Sequence, residues 1–381
     1  MKRAFFGVMV LAGALLAACC QIPPPPETLL PPPAKPGSTL RKKPGNRPSP
    51  PKEPTLAEKI NRLILPEEPD VSGKTLEEAI HMLRVRAYDA DTVSSTHGWT
   101  RGVNLVLISG GEVTLPSVIS LKLKDVPFAE ALTYVTGLAG MKYRVDKHAV
   151  VITPEDSEPP APPLTEADAS TEREKRFLYG LSHRILPRVS WQNCTVEEAV
   201  EFLRVSHGCD PDPNMPTTPR NFVLHLRNND QRPMVTLDLH DIPILEVLRY
   251  IAEMSGLKLS LRSSALVFSD HDLGPPPKAA AKPCPVQIRA RRLLLPTVTF
   301  QGTTLTEAVE FLNVKTRMLD PGRQGISVVA HPGSSDDPSI TFDLKEIHAA
   351  DVLDHIALQS GRRLSVEGNT FVLTPLESAQ P

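Results

Sequence analysis

The chain reads as α+β: three repeat domains of order β-α-β-β-α-β-β, in which two helices pack on small sheets and proline-rich linkers join one domain to the next. Three observations predict this. Two marker passages recur three times in the same order; the apolar residues within them alternate between helical and strand-like periods; and many of the 40 prolines, against 21 glycines, lie in the N-terminal stretch and between the repeats. The formal net charge of -2, with 23% charged residues, makes no large field of either sign and gives no support to a nucleic-acid partner.

Each repeat opens on a strand, "RVSWQN" from Arg188 in the second and "TVTFQG" from Thr297 in the third. The first marker follows as "TLEEAIHML" from Thr75, "TVEEAVEFL" from Thr195 and "TLTEAVEFL" from Thr304. A threonine with a glutamate three residues on is the spacing of a capping box, so three helices start alike. Leu76, Ala79, Ile80 and Leu83 form one apolar stripe, repeated by Val196, Ala199, Val200 and Leu203 and by Leu305, Ala308, Val309 and Leu312. A middle strand comes next, in "VNLVLI" from Val103, "NFVLHL" from Asn221 and "ISVVA" from Ile326.

The second marker runs from Leu121, Leu237 and Phe342. It begins with strand-like alternation and continues as a helix, whose apolar residues in the first copy are Phe128, Ala131, Leu132 and Val135. Gly140, Gly256 and Gly361 then stand where a helix stop calls for a positive φ. A strand pair closes each copy, ending in "AVVIT" from Ala149, "ALVFS" from Ala265 and "TFVLT" from Thr370. The expected boundaries are 56–154, 183–270 and 289–376 for the repeats, with linkers over 155–182 and 271–288. The copies are expected to be separate beads, so that residues 183–272 would fold alone.

The second marker, a strand followed by an acidic residue, Val or Ile, Pro, a helix, a glycine and a hairpin, resembles the short N-terminal (STN) domain of secretins and of some TonB-dependent receptors. The third copy departs from the pattern, with His348 in place of the proline and Arg362 in place of the apolar residue after the glycine. No long series of amphipathic strands is present, so the resemblance does not extend to a pore or a barrel. It implies a protein partner in a secretion or envelope-transport assembly, or a signalling protein.

At the N-terminus, Lys2 and Arg3 precede an apolar run from Ala4 to Ala18, the layout of a secretory signal over residues 1–18. Leu16, Ala17, Ala18 and Cys19 are similar to the lipobox of bacterial lipoproteins, which makes Cys19 the lipid-attachment residue. Position 20 is not the aspartate that retains such proteins in the inner membrane, so the resemblance points to the periplasmic face of the outer membrane. Residues 19–55 then form the lipidated cysteine and a proline-rich spacer, reaching on the order of 100 Å at about 3.1 Å per residue. Membrane contact is through the anchor alone. Cys20, Cys194, Cys209 and Cys284 imply no disulfide framework.

No catalytic, metal or cofactor site emerges. His240 and Asp241 align with Lys124 and Asp125 and with Lys345 and Glu346, so they read as a solvated strand end and an acidic helix start. His348 and His355 share a helix face, but His355 aligns with Tyr134 and Tyr250 and is expected to fill a semi-exposed aromatic slot. Asp91, Asp210 and Asp320 recur as turn residues after the first helix. Trp191 aligns with Phe300 and belongs in the core, whereas Trp99, in a loop longer than its counterparts, is the candidate partner-binding anchor. The expected function is a non-enzymatic, lipid-anchored scaffold that binds envelope proteins through a sheet edge. The alternatives are a structural spacer between envelope layers and an enzyme with an unrecognised site; no small-molecule substrate is indicated.

Overall fold

The structure, a computed structural model, describes residues 53–66, 72–97, 100–109, 119, 121–122, 124–206, 220–227, 233–274, 283–332 and 337–376. Cys19, Cys20, the proline-rich spacer up to residue 52, Trp99, Cys209 and Asp210 lie outside them. The described residues belong to one compact unit, Glu53–Pro381.

The first segment runs α1 (Leu56–Arg62), β1 (Ile64–Leu65), α2 (Leu76–Ala90), α3 (Thr92–His97), β2 (Leu105–Leu107), β3 (Val126–Pro127), α4 (Phe128–Leu138), β4 (Met141–Val145) and β5 (Val150–Pro154). The second runs α5 (Glu172–His183), β6 (Ile185–Thr195), α6 (Val196–Val205), β7 (Phe222–His225), β8 (Met234–Pro243), α7 (Ile244–Met254), β9 (Lys258–Arg262) and β10 (Ala265–Ser269). The third runs α8 (Pro285–Arg292), β11 (Leu294–Thr304), α9 (Leu305–Leu319), β12 (Ser327–Ala330), β13 (Ser339–His348), α10 (Ala349–Gln359), β14 (Arg362–Glu367) and β15 (Thr370–Pro375). The class is α+β, as expected.

Each segment opens on a helix that the β-α-β-β-α-β-β order leaves out. Helix α5 begins inside the stretch 155–182 read as linker and fills its end, and α8 begins inside 271–288. Proline density around them masks the signal, yet α5 carries its own capping box: Thr171 accepts from the Glu174 backbone at 3.1 Å, and Glu174 accepts from the Thr171 backbone at 3.1 Å. The capping boxes at Thr75, Thr195 and Thr304 are all formed, as the sequence predicts.

Two kinds of sheet recur. The strand before the first long helix pairs antiparallel with the strand before the second: β1 with β3, β6 with β8, β11 with β13. The remaining strands of each segment make a three-stranded arrangement, β2-β5-β4, β7-β10-β9 and β12-β15-β14, with the first pair parallel and the second antiparallel. Asp125, Asp241 and Glu346 all have positive φ (53°, 48° and 47°) at the end of the second marker's strand. Aspartate tolerates this left-handed conformation better than most residues, which gives Asp125 and Asp241 a backbone reason for a short acidic side chain; Glu346 adopts it without that advantage.

The segments are not beads. Val106, Ile108, Ala149 and Val151 of the first segment sit in the same apolar cluster as α5, α6 and α7 of the second. Val223, Ala265 and Val267 of the second sit in the core of the third. The first two three-stranded walls are thus buried on both faces, closing their own segment's core on one side and the next segment's on the other. Burying one such valine is worth about 1.5–3 kcal/mol. Residues 183–272 alone would therefore lose both α5 and the wall formed by β2, β4 and β5.

Candidate interaction surface

Two junctions are built inside the chain, and their geometry defines what a free end offers. At the first, the Asn104 side chain acts as a backbone amide would: its Nδ2 donates to the His240 carbonyl at 2.8 Å, and its Oδ1 accepts from the His240 N–H at 2.9 Å. At the second, Asn221 makes the same pair of bonds with Lys345, at 3.1 Å and 2.9 Å. There β7 also pairs with β13 (Phe222 opposite Asp343), which merges two sheets into one of order β11-β13-β7-β10-β9.

Beside the clamps, the turn of each wall's hairpin meets the next segment's helix. At the first junction Arg249 bridges Asp146 (2.7 Å) and Glu246 (2.8 Å), and Arg144 reaches Glu253 at 2.7 Å. Burial works against ionisation of Asp146, but Arg249 and Arg144 overcome it and hold the carboxyl below its usual range. At the second junction the helix contributes acids and the hairpin hydroxyls: Ser263 donates to Asp354 at 2.9 Å and Ser264 to Asp351 at 3.1 Å. Burial pushes the Asp354 carboxyl up to about 6 and raises that of Asp351. His355 is fully buried, not semi-exposed; its Nε2 lies 3.2 Å from the Ser263 carbonyl, and burial lowers its pKa to about 4. It fills the position taken by Tyr250, whose hydroxyl is 3.4 Å from Asp146.

The remaining sequence candidates separate. His240 and Asp241 are joined to the first junction by the His240 backbone, while the imidazole is half-exposed near Asp238. His348 stands at the N-cap of α10 and is half-buried, and no group of three or more metal-binding side chains exists among the described residues. Asp91 and Asp320 are turn residues as expected, accepting from Gly102 at 2.9 Å and from Gly325 at 2.9 Å. Trp191 lies at the core margin, edge-on to Phe202 with ring centroids 5.5 Å apart, and Phe300 stands likewise against Phe311 at 5.4 Å. Cys194 and Cys284 are both free and partly buried. A cleft of ≈ 680 Å³ between the strap Glu158–Leu164 and α7 includes Arg249 and Glu253, both already paired across the first junction.

Among the described residues no segment follows the third wall. Strand register places β12 as the counterpart of β2 and β7: Leu105 opposes Val150, Phe222 opposes Leu266 and Val328 opposes Phe371. Ser327 then stands where Asn104 and Asn221 make their clamps, and Val329 stands where Val106 and Val223 are buried. Val329 is 47% exposed, against 1% for each of the other two. The His331 N–H bonds Leu373 inside the sheet at 2.9 Å, so by alternation the N–H of Ala330 points to the open side. At the opposite end, Tyr134 is 45% exposed where Tyr250 and His355 are fully covered. Sequence reading missed the two clamps, although an asparagine just ahead of the apolar strand in two of three segments is their only visible sign.

Among the described residues no helix is long and apolar enough to cross a membrane. Comparison with protein-family models, with curated proteins and with solved structures finds no match to this chain.

Proposed function

We propose that the three segments are copies of one domain of the STN type, and that the protein is a non-enzymatic scaffold held by a lipid on Cys19 at the periplasmic face of the outer membrane. It binds a protein of a secretion or envelope-transport assembly by accepting a strand at β12. The observation that carries this reading is the edge beyond Val328: β2 and β7 each meet the following segment, whereas among the described residues β12 meets none, and although Asn313 of α9 holds the Val328 N–H and carbonyl (2.8 and 3.0 Å), the half-exposed Val329 and the outward N–H of Ala330 are left for a partner. An edge strand with unpaired backbone groups is a ready template for strand addition.

The test is Ala330→Pro, which removes an outward donor from the edge. Envelope crosslinking followed by pull-down is expected to recover one defined assembly with the wild type and to lose it with the variant, at unchanged circular dichroism. Recovery of bulk envelope components by both proteins would favour a spacer instead. Mass spectrometry of the mature N-terminus is expected to find a diacylated Cys19; an unmodified Cys19 inside a longer peptide would remove the anchor from this account.

A further inference from the structure

We infer that the partner at β12 is a unit built like the second and third segments, an edge strand leading into a helix, and that it carries a basic side chain at the helix position held by Arg249 in the second segment. The inference rests on the proposed edge-binding function and concerns the chemistry of its occupant.

The outer face of the third wall keeps the composition of a junction. Val106 and Val151 face the second core, and Val223 and Val267 the third. Register puts Val329 and Val372 in the same places, with Thr370 where Ala149 and Ala265 stand. A wall meant for solvent would be expected to turn polar at its centre, as terminal repeats of stacked proteins do. This one retains both valines, Val372 buried and Val329 half out in water.

Charge then selects among occupants. The residue opening the hairpin turn is Asp146 in the first wall, Arg262 in the second and Glu367 in the third, each beside the first residue of the returning strand or the one before it. The helix position facing it is Arg249 at the first junction, in direct contact with Asp146, and Asp354 at the second, which feels the Arg262 charge while bonding Ser263, so the charges are of opposite sign at both junctions and reverse from one to the next. Glu367 extends the series and calls for a cation. A second copy of this chain does not supply one. Its α4 carries Thr133 at the Arg249 position and Glu130 at the Glu246 position, the latter accepting from Tyr134 at 3.0 Å. Docked in the same way, Glu367 would face Glu130 with nothing between them, whereas at the first junction Arg249 bridges both acids. Ser327 in place of a clamping asparagine removes a pair of hydrogen bonds and leaves the external joint weaker than the internal ones.

The missing cation can be supplied in this chain. Two populations of purified full-length protein in detergent, one labelled with a donor dye and one with an acceptor, report end-to-end association by energy transfer. Wild type is expected to show weak or no association, and Thr133→Arg to associate at least about tenfold more tightly, the size of one well-placed charge pair. Adding Glu367→Arg or Ala330→Pro to the Thr133→Arg chain is expected to abolish the gain; Glu367 is exposed and Ala330 lies at the core margin, and circular dichroism checks the fold of both. No gain from Thr133→Arg, or a gain insensitive to Glu367→Arg, overturns the inference. So does wild-type association as tight as the variant's, which would make a second copy the occupant. The measurement needs no envelope partner, so a failure here is distinct from a failure of the crosslinking experiment.

Discussion

The two internal junctions share one frame and differ in electrostatics. Both use an asparagine clamp and a wall of valine and alanine, but the first is laced by Arg144, Asp146, Arg249 and Glu253, while the second sets Asp351 and Asp354 against serine hydroxyls and His355 against the Ser263 carbonyl. Backbone geometry therefore sets the stacking, and side-chain charge is left free to differ. That freedom gives each junction its own partner preference, since a segment placed out of order would set like charges against each other.

The largest contrast is expected from removing one charged group at each junction. Arg249→Ala leaves Asp146, Glu246 and Glu253 without their common cation and should cost about 3 kcal/mol, read as a drop in the denaturant midpoint at constant slope. Asp354→Asn at pH 7 should instead be neutral or stabilising, because folding disfavours the ionised carboxyl there. Equal losses from both would show that the junctions are held in the same way. Next in size, Asn104→Ala and Asn221→Ala should each cost about 2 kcal/mol, the penalty for leaving a neighbouring strand's N–H and carbonyl unpaired. Unequal losses would break the claim of a shared frame.

The pH response sharpens the comparison further. Asp354 has a folded pKa near 6, above its unfolded value, so its contribution is present at low pH and is lost as pH rises through 6. His355, lowered to about 4, behaves oppositely: its contribution is present above the unfolded value and is lost as pH falls through 4. In wild type the two slopes oppose each other between about pH 4 and 6. His355→Tyr, which installs the second segment's side chain, should lose stability relative to wild type as pH rises across that window. Asp354→Asn should gain relative to wild type. Each change should amount to about 2 kcal/mol, followed by urea midpoints at pH 4, 5 and 6.

Much of the local structure was legible in the sequence. The capping boxes at Thr75, Thr195 and Thr304, the apolar stripes behind them and the glycine stops at Gly140, Gly256 and Gly361 all depend on short-range chemistry, and all are present. The stacking was not legible, because valine at position 106 looks the same whether its far face meets water or another core. The helices α5 and α8 were hidden by neighbouring prolines that mark a linker by composition, although Thr171 and Glu174 carried the sign of a helix start. The open edge could be recognised only once β12 was seen beside its two covered counterparts. Trp99, the anchor candidate chosen from the sequence, lies outside the described residues.

The smallest expected effect returns to His240. Its backbone N–H and carbonyl are both held by Asn104, and any residue but proline supplies the N–H. The imidazole is half-exposed and lies 3.9 Å from Asp238, a carboxylate already paired with Arg84 at 2.9 Å. Lys345 takes the same place at the second junction with the same two backbone bonds, so the clamp is indifferent to the side chain it grips. His240→Ala should then change stability by less than about 0.5 kcal/mol and leave partner capture intact. His355→Ala, by contrast, empties a fully buried site and should destabilise the third segment. A loss of partner capture from His240→Ala at unchanged stability would mean that the imidazole itself is used, and would transfer the functional site from the open edge to the first junction.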